Sequence, residues 1–203
     1  MNELRDAEIH HLVGGELCVD FANTLYGHSD VPIHEYLCGY CDLVLWSRHA
    51  GILSDKEAHR LLQNARHRPS EAKAVFRRAI ALREVIYRIF ANLAQTRSPK
   101  VDDLVILHTA WLEALAHSHL FKTPTGFRLD WKKEYPLVRL LWPIIDSANK
   151  LLISEEVQQI KQCNGCDWLF VDRSRNHMRR WCSMDECGNR AKMRRRRLRR
   201  KLE

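Results

Sequence analysis

Cys163-Asn164-Gly165-Cys166 and Cys182-Ser183-Met184-Asp185-Glu186-Cys187 give the chain a C-x2-C-x15-C-x4-C pattern. Two close cysteine pairs joined by a short arm suit a tetrahedral four-thiolate zinc site, in which each pair supplies two ligands and the arm loops back. Four thiolates leave no open position for water or substrate, so the zinc, one per chain, is expected to be structural. Gly165 is expected to supply a positive φ in the turn between the first two ligands. The arm opens with Trp168-Leu169-Phe170-Val171, which are strand-like residues, and turns at Asp172 to Ser174, so a hairpin leading away from the first pair is predicted. Residues 190–201 lack helix breakers, and a helix should therefore start near Cys187. Knuckle, hairpin and helix together predict a C-terminal treble-clef-like zinc finger over residues 161–203. With few large apolar side chains, that segment is expected to draw most of its folding energy from the metal and to have a core separate from the rest.

The same segment holds the charge. Of 33 Lys/Arg and 25 Asp/Glu in the chain, residues 161–203 contain 14 and 5, leaving 19 and 20 for residues 1–160. A basic segment on a near-neutral body is the footprint of a polyanion partner, because phosphate neutralisation releases condensed counterions. Around the terminal helix, Arg190, Lys192, Arg194, Arg195, Arg196, Arg197, Arg199, Arg200 and Lys201 leave only Ala191, Leu198 and Leu202 on one apolar face. Such a helix is too polar to bury in a core or to insert into lipid, so nucleic acid is the expected partner and a membrane is not. A frayed, solvated tail is the bland alternative. Arg173, Arg175, Arg179 and Arg180 offer a second phosphate-facing row from the arm.

Upstream, 45% hydrophobic content in 203 residues suffices for a real core. The charged N-terminus and the lack of any apolar run of about 18 residues predict a cytoplasmic protein, whose seven cysteines stay reduced. Residues 1–160 read as mainly α with a small β-hairpin. Asp42 to Ala50 is helical and Gly51 stops it, and Ser54-Asp55-Lys56-Glu57 has the form of a capping box. Val75, Ala79, Leu82, Ile86, Ile89 and Leu93 recur at helical spacing, with Arg77, Arg78, Arg83 and Arg88 between them as a solvated face. Leu104, Leu107, Trp111 and Leu115 repeat the pattern after Asp102, read as an N-cap. Phe127, Leu129 and Trp131 then alternate with charged residues after a Thr123-Pro124-Thr125-Gly126 turn, which predicts the hairpin. The helical stripe resumes from Leu137 to Leu152, where Pro143 must kink a helix or start one. Cys18, Cys38 and Cys41 read as core residues, with no metal claimed for them.

Trp181-Cys182, Cys187-Gly188-Asn189-Arg190 and the upstream Phe170-Val171-Asp172-Arg173-Ser174 with Arg179-Arg180 closely resemble the CGNR zinc-finger family of bacterial proteins. Leu12 to Leu25 and Asp42 to Trp46, continuing to Gly51-Ile52-Leu53, resemble the ABATE domain that precedes this finger in the family. The resemblance implies a transcriptional regulator, often described as stress-induced, with zinc held by Cys163, Cys166, Cys182 and Cys187.

The leading functional expectation is thus a DNA-binding regulator, with binding to structured RNA as the alternative, since basic helices read phosphate geometry in both polymers. An enzyme seated in residues 1–160 is the reading from another class. Asp20, Asn23, His28 and His34 are polar groups close in sequence, but no nucleophile elbow, P-loop, dinucleotide fingerprint or H-E-x-x-H pair accompanies them. Residues 1–160 are therefore expected to sense a small-molecule effector or to form a homodimer. The segment from Gly14 to Thr24 is the first candidate for a ligand site, with Asp20, Asn23 and Thr24 as polar handles and a structural turn with helix cap as the plainer reading.

Overall fold

A computed structural model describes residues 12–28, 31–131 and 137–200; Lys201 and Leu202, named above, lie outside them. The architecture is mainly helical, with three two-stranded antiparallel sheets among the described residues. The stretch after Gly14-Gly15 forms a helix, α1 (Leu17–Ala22), followed by the hairpin β1 (Leu25–His28) and β2 (Val31–Glu35). Next come α2 (Tyr40–His49), α3 (Asp55–His67), α4 (Pro69–Ala94) and α5 (Val101–Ala116). Gly51, at φ +76°, takes the left-handed turn that ends the α2 region. The Ser54 hydroxyl accepts from the Glu57 amide while the Glu57 carboxylate accepts from the Ser54 amide, completing the capping box of α3.

The α4 stripe is buried as its spacing predicts, from Val75 through Ile89. The solvated face is not uniform, however. Arg83 is 2% exposed because the end of β2 folds across α4, and its two terminal nitrogens donate to the Glu35 carboxylate at 2.6 and 2.7 Å. Arg78 and Arg88 tie α4 to α5 through Glu113 and Asp103. Asp102 is not the cap of α5: Lys100 holds that position and Asp102 lies within the first turn, where a carboxylate still favours the helix dipole.

The predicted hairpin is β3 (Ser118–Thr123) with β4 (Gly126–Trp131), closed by Pro124-Thr125. Pro143 starts a fresh helix, α6 (Trp142–Leu152), after a 3-10 turn at Arg139–Leu141.

One expectation about the C-terminal segment fails. The strand β6 (Leu169–Val171) pairs with β5 (Ile160–Gln162), upstream of the first cysteine pair, in the register Ile160↔Val171, Lys161↔Phe170 and Gln162↔Leu169. The first pair therefore sits in the turn of this hairpin instead of ahead of it. The finger does have its own cluster of buried residues, but one strand joins it to the main core. Because strand side chains alternate faces, Leu169 and Val171 join Ile160 in the main hydrophobic core, while Phe170, with neighbouring Trp168, packs on the cysteines. The other side of β6 is held by α1 and its approach: Asn23 Nδ2 donates to the Leu169 carbonyl and Asn23 Oδ1 accepts from the Leu169 amide, both at 2.8 Å. The Gly14 carbonyl accepts from the Val171 amide at 2.8 Å. The Tyr87 hydroxyl of α4 and the Trp168 indole add bonds to the Asp167 and Leu25 carbonyls.

Candidate metal centre and nucleic-acid interface

The Sγ atoms of Cys163, Cys166, Cys182 and Cys187 all lie within 4.8 Å of one another, and each residue is at most 2% exposed. Cys166 and Cys182 approach to 3.3 Å and Cys182 and Cys187 to 3.7 Å. A tetrahedral ion with bonds of about 2.3 Å requires sulfur separations of about 3.8 Å, so the cluster is compact enough for one zinc ion. All four are free thiols. Hydrogen bonds from Cys166, Cys182 and Cys187 hold the Cys163 thiol well below its ordinary range, whereas the bond with Cys163 and then those with Cys182 and Cys187 push Cys166 upward. Four thiolates in one dry pocket need a cation, and the donor set fits one structural Zn2+ site. The Gly165 amide and the Arg190 guanidinium also point at sulfur, 3.4 Å from Cys163 and 3.3 Å from Cys187.

The role given to Gly165 needs correction. The left-handed residue of the knuckle is Asp167, at φ +46°. Gly165 is needed for space, since an added Cβ would lie 3.2 Å from the Cys187 Cβ and 3.3 Å from the Trp181 ring. Cys187 falls in the turn Met184–Gly188, and α7 (Asn189–Arg199) begins immediately after it.

The basic residues separate into two groups. Arg173 pairs with Glu16 and Glu156 and donates to the Gly15 carbonyl, so its charge is spent on joining the finger to α1. Arg179 lies over the Phe170 ring, 4.6 Å from its centre, and donates to the Trp181 and Cys182 carbonyls. Both are therefore engaged within the protein, Arg173 at the surface and Arg179 half-buried.

In contrast, no residue of α7 is buried. Among the described residues, no carboxylate pairs with Arg175, Arg180, Lys192, Arg194, Arg195, Arg196, Arg197, Arg199 or Arg200. Sequence reading also missed the hub of the arm. Asp172, fully buried, accepts from Lys161 Nζ and Ser174 Oγ at 2.6 Å and from the Arg179 amide at 2.9 Å. Burial alone would raise its carboxyl, but these bonds win and hold it well below the usual carboxylate range. The Asp172-x-Ser174 spacing is a local turn signal that could have revealed it.

Residues 15–155 match the ABATE family model, described as "Putative stress-induced transcription regulator". The chain belongs to the ABATE family. Residues 159–200 match the CGNR zinc finger. No curated protein matches the chain.

Within the ABATE part, the three proposed polar handles are engaged internally. Asp20 accepts from the Gly14 amide at 2.7 Å, Asn23 spans Leu169, and Thr24 donates to the Phe21 carbonyl while accepting from Arg83. Of the remaining cysteines, Cys18 is buried, and desolvation pushes its thiol up to about 12. Cys38 and Cys41, expected in the core, are exposed because they flank the start of α2 at the surface. No helix among the described residues is long and apolar enough to cross a membrane.

Proposed function

We propose that this ABATE protein is a DNA-binding transcription regulator. In this reading one zinc ion, held by Cys163, Cys166, Cys182 and Cys187, fixes the start of α7, and α7 lies along duplex phosphates. Lys192, Arg194, Arg195, Arg196, Arg197, Arg199 and Arg200 make the contacts, together with Arg175, Arg180 and Lys201. Arg190 is held nearer the metal by its bond to Cys187. The observation that carries the reading is a helix with no buried side chain, starting two residues after a buried metal ligand, in which Lys192, Arg194, Arg195, Arg196, Arg197 and Arg199 pair with no carboxylate among the described residues. Such a helix repels itself unless anions lie beside it. The proposed division of labour falls near residue 160: residues 161–203 bind, and residues 1–160 regulate through an effector or a homodimer. The family description speaks for regulation over catalysis.

Fluorescence anisotropy with the zinc-loaded full chain on duplex DNA tests this. Each phosphate neutralised contributes about −0.9 to the slope of log affinity against log salt, so a slope steeper than about −3 is expected. Reversing Arg196, Arg197 and Arg199 to Glu should flatten it. A slope unchanged by that triple variant defeats the proposal, and tighter binding to an RNA hairpin than to duplex DNA at equal salt redirects it to RNA.

A further inference from the structure

A cleft of about 330 Å³ opens between β4 and the helical body, lined by Leu17 of α1, Ile52 after α2, Leu129 and Trp131 of β4, Arg139 and Pro143. Its volume lies at the small end of the roughly 300–1,000 Å³ range of small-molecule sites. Leu17, Ile52, Leu129 and Pro143 offer an apolar surface, and Trp131 is fixed there because its indole donates to the Ala114 carbonyl at 2.9 Å. Two guanidinium groups reach the same space.

Arg128 is largely exposed and is answered by Asp130 at 3.2 Å, which also lines the cleft. Arg139 differs. Its side chain is 15% exposed, and among the described residues its ion pair is with Glu57 at 3.0 Å, through one nitrogen only. Glu57 is itself shared with the capping box of α3. The first turn of α6, which begins beside the cleft with Pro143, carries no acidic residue to oppose an anion. The combination is an open cleft of mixed polar and apolar lining, with an aromatic wall and one mostly buried cation that has donor capacity to spare among the described residues.

We propose that this cleft is an effector site for a small monocarboxylate with an aromatic or short aliphatic body, whose carboxylate meets Arg139 and whose apolar part lies against Leu129 and Trp131. One nearly buried guanidinium suits a single negative charge, and the small volume excludes nucleotides and other large anions. This rests on the regulatory reading of residues 1–160 and gives it a place. The cleft has a route to the finger, because α1 serves both. Leu17 faces the cleft, while the three residues before it engage the finger: the Gly14 and Gly15 carbonyls accept from the Val171 amide and from Arg173, and Glu16 pairs with Arg173. An occupant that moves Leu17 changes the seat of β6. By linkage, it shifts DNA affinity only as far as it binds the two arrangements differently.

The test uses the zinc-loaded full chain without DNA and the probes benzoate, hexanoate and, as a neutral control, benzyl alcohol, followed by calorimetric titration. The expected result is one benzoate or hexanoate per chain, with benzyl alcohol at least about tenfold weaker. Arg139→Gln should weaken the carboxylates by about tenfold or more and leave benzyl alcohol unchanged. Because losing Arg139 also loosens the α3 cap, Leu129→Trp serves as the second variant: it fills the cleft, keeps every charge, and should abolish binding while the protein still melts cooperatively. Equal affinity for benzoate and benzyl alcohol, binding indifferent to both variants, or no binding of either carboxylate up to about 10 mM would overturn the proposal. DNA affinity measured with and without saturating benzoate is a separate readout: a shift supports the effector role, and its absence with binding intact refutes regulation from this cleft. Failure to bind DNA at all would strike the DNA reading alone and leave the calorimetric result to decide the site.

Discussion

Asn23→Ala should couple the fates of the two family regions in a single measurement. Asn23 is fully buried, and its amide group makes both a donor and an acceptor bond of 2.8 Å to the backbone of Leu169. Truncation removes two hydrogen bonds with a net worth of about 0.5–1.5 kcal/mol each, and it strands a buried N–H and C=O whose desolvation costs about 1–3 kcal/mol apiece if nothing replaces the partner. Water entering the small void would recover part of this, so a loss of about 2–5 kcal/mol is expected. Leu169 lies in the main core while Phe170 packs on the cysteines, so the helical signal and the bound metal should be lost together. Urea titration followed by far-ultraviolet circular dichroism, with a chromogenic chelator reporting released zinc, reads both. Asn23→Asp keeps the acceptor and loses the donor, which tells the two bonds apart. A loss under about 0.5 kcal/mol, or zinc released with the helical transition unmoved, would refute the shared-strand reasoning.

Cys166→Ser, or stripping zinc with EDTA, should lower the melting temperature of the whole chain; calorimetry showing an unchanged helical transition beside a lost finger would contradict this. Arg173→Ala should cost stability, on the order of 1 kcal/mol or less for partly exposed pairs, with little change in the salt slope of DNA binding. Arg196→Ala should reverse that pattern, leaving melting unchanged and reducing the slope by about 1; equal slope changes in the two variants would undo the sorting of structural from free cations. Burial, only partly offset by the Gly14 amide, pushes the Asp20 carboxyl from 3.8 up to about 6. The folded chain thus keeps a proton that the unfolded chain has released, and stability falls as pH rises through that window, by up to about 3 kcal/mol. Asp20→Asn should remove that slope, so urea midpoints compared at about pH 4.5 and about pH 7 that change equally in both proteins would disprove it.

The amino-acid sequence determined what depends on local spacing. The four cysteines and their pairing, the Ser54/Glu57 cap, the Val75–Ile89 stripe, the β3–β4 hairpin and the basic helix after Cys187 were all legible, because ligand spacing, side-chain period and turn chemistry act over a few residues. Contacts distant in sequence were not legible from local pattern. Arg83 looks like any charge between apolar positions until β2 brings Glu35 to it, 48 residues away in sequence. Arg173 looks like a phosphate ligand until Glu16, 157 residues away, claims it. Asn23 looks like a polar handle, yet it borders a strand 146 residues later. Only the tertiary structure decided that a three-residue strand belongs to two cores at once, since which face of β6 meets which neighbour is set by how distant segments pack, and no local pattern encodes that choice.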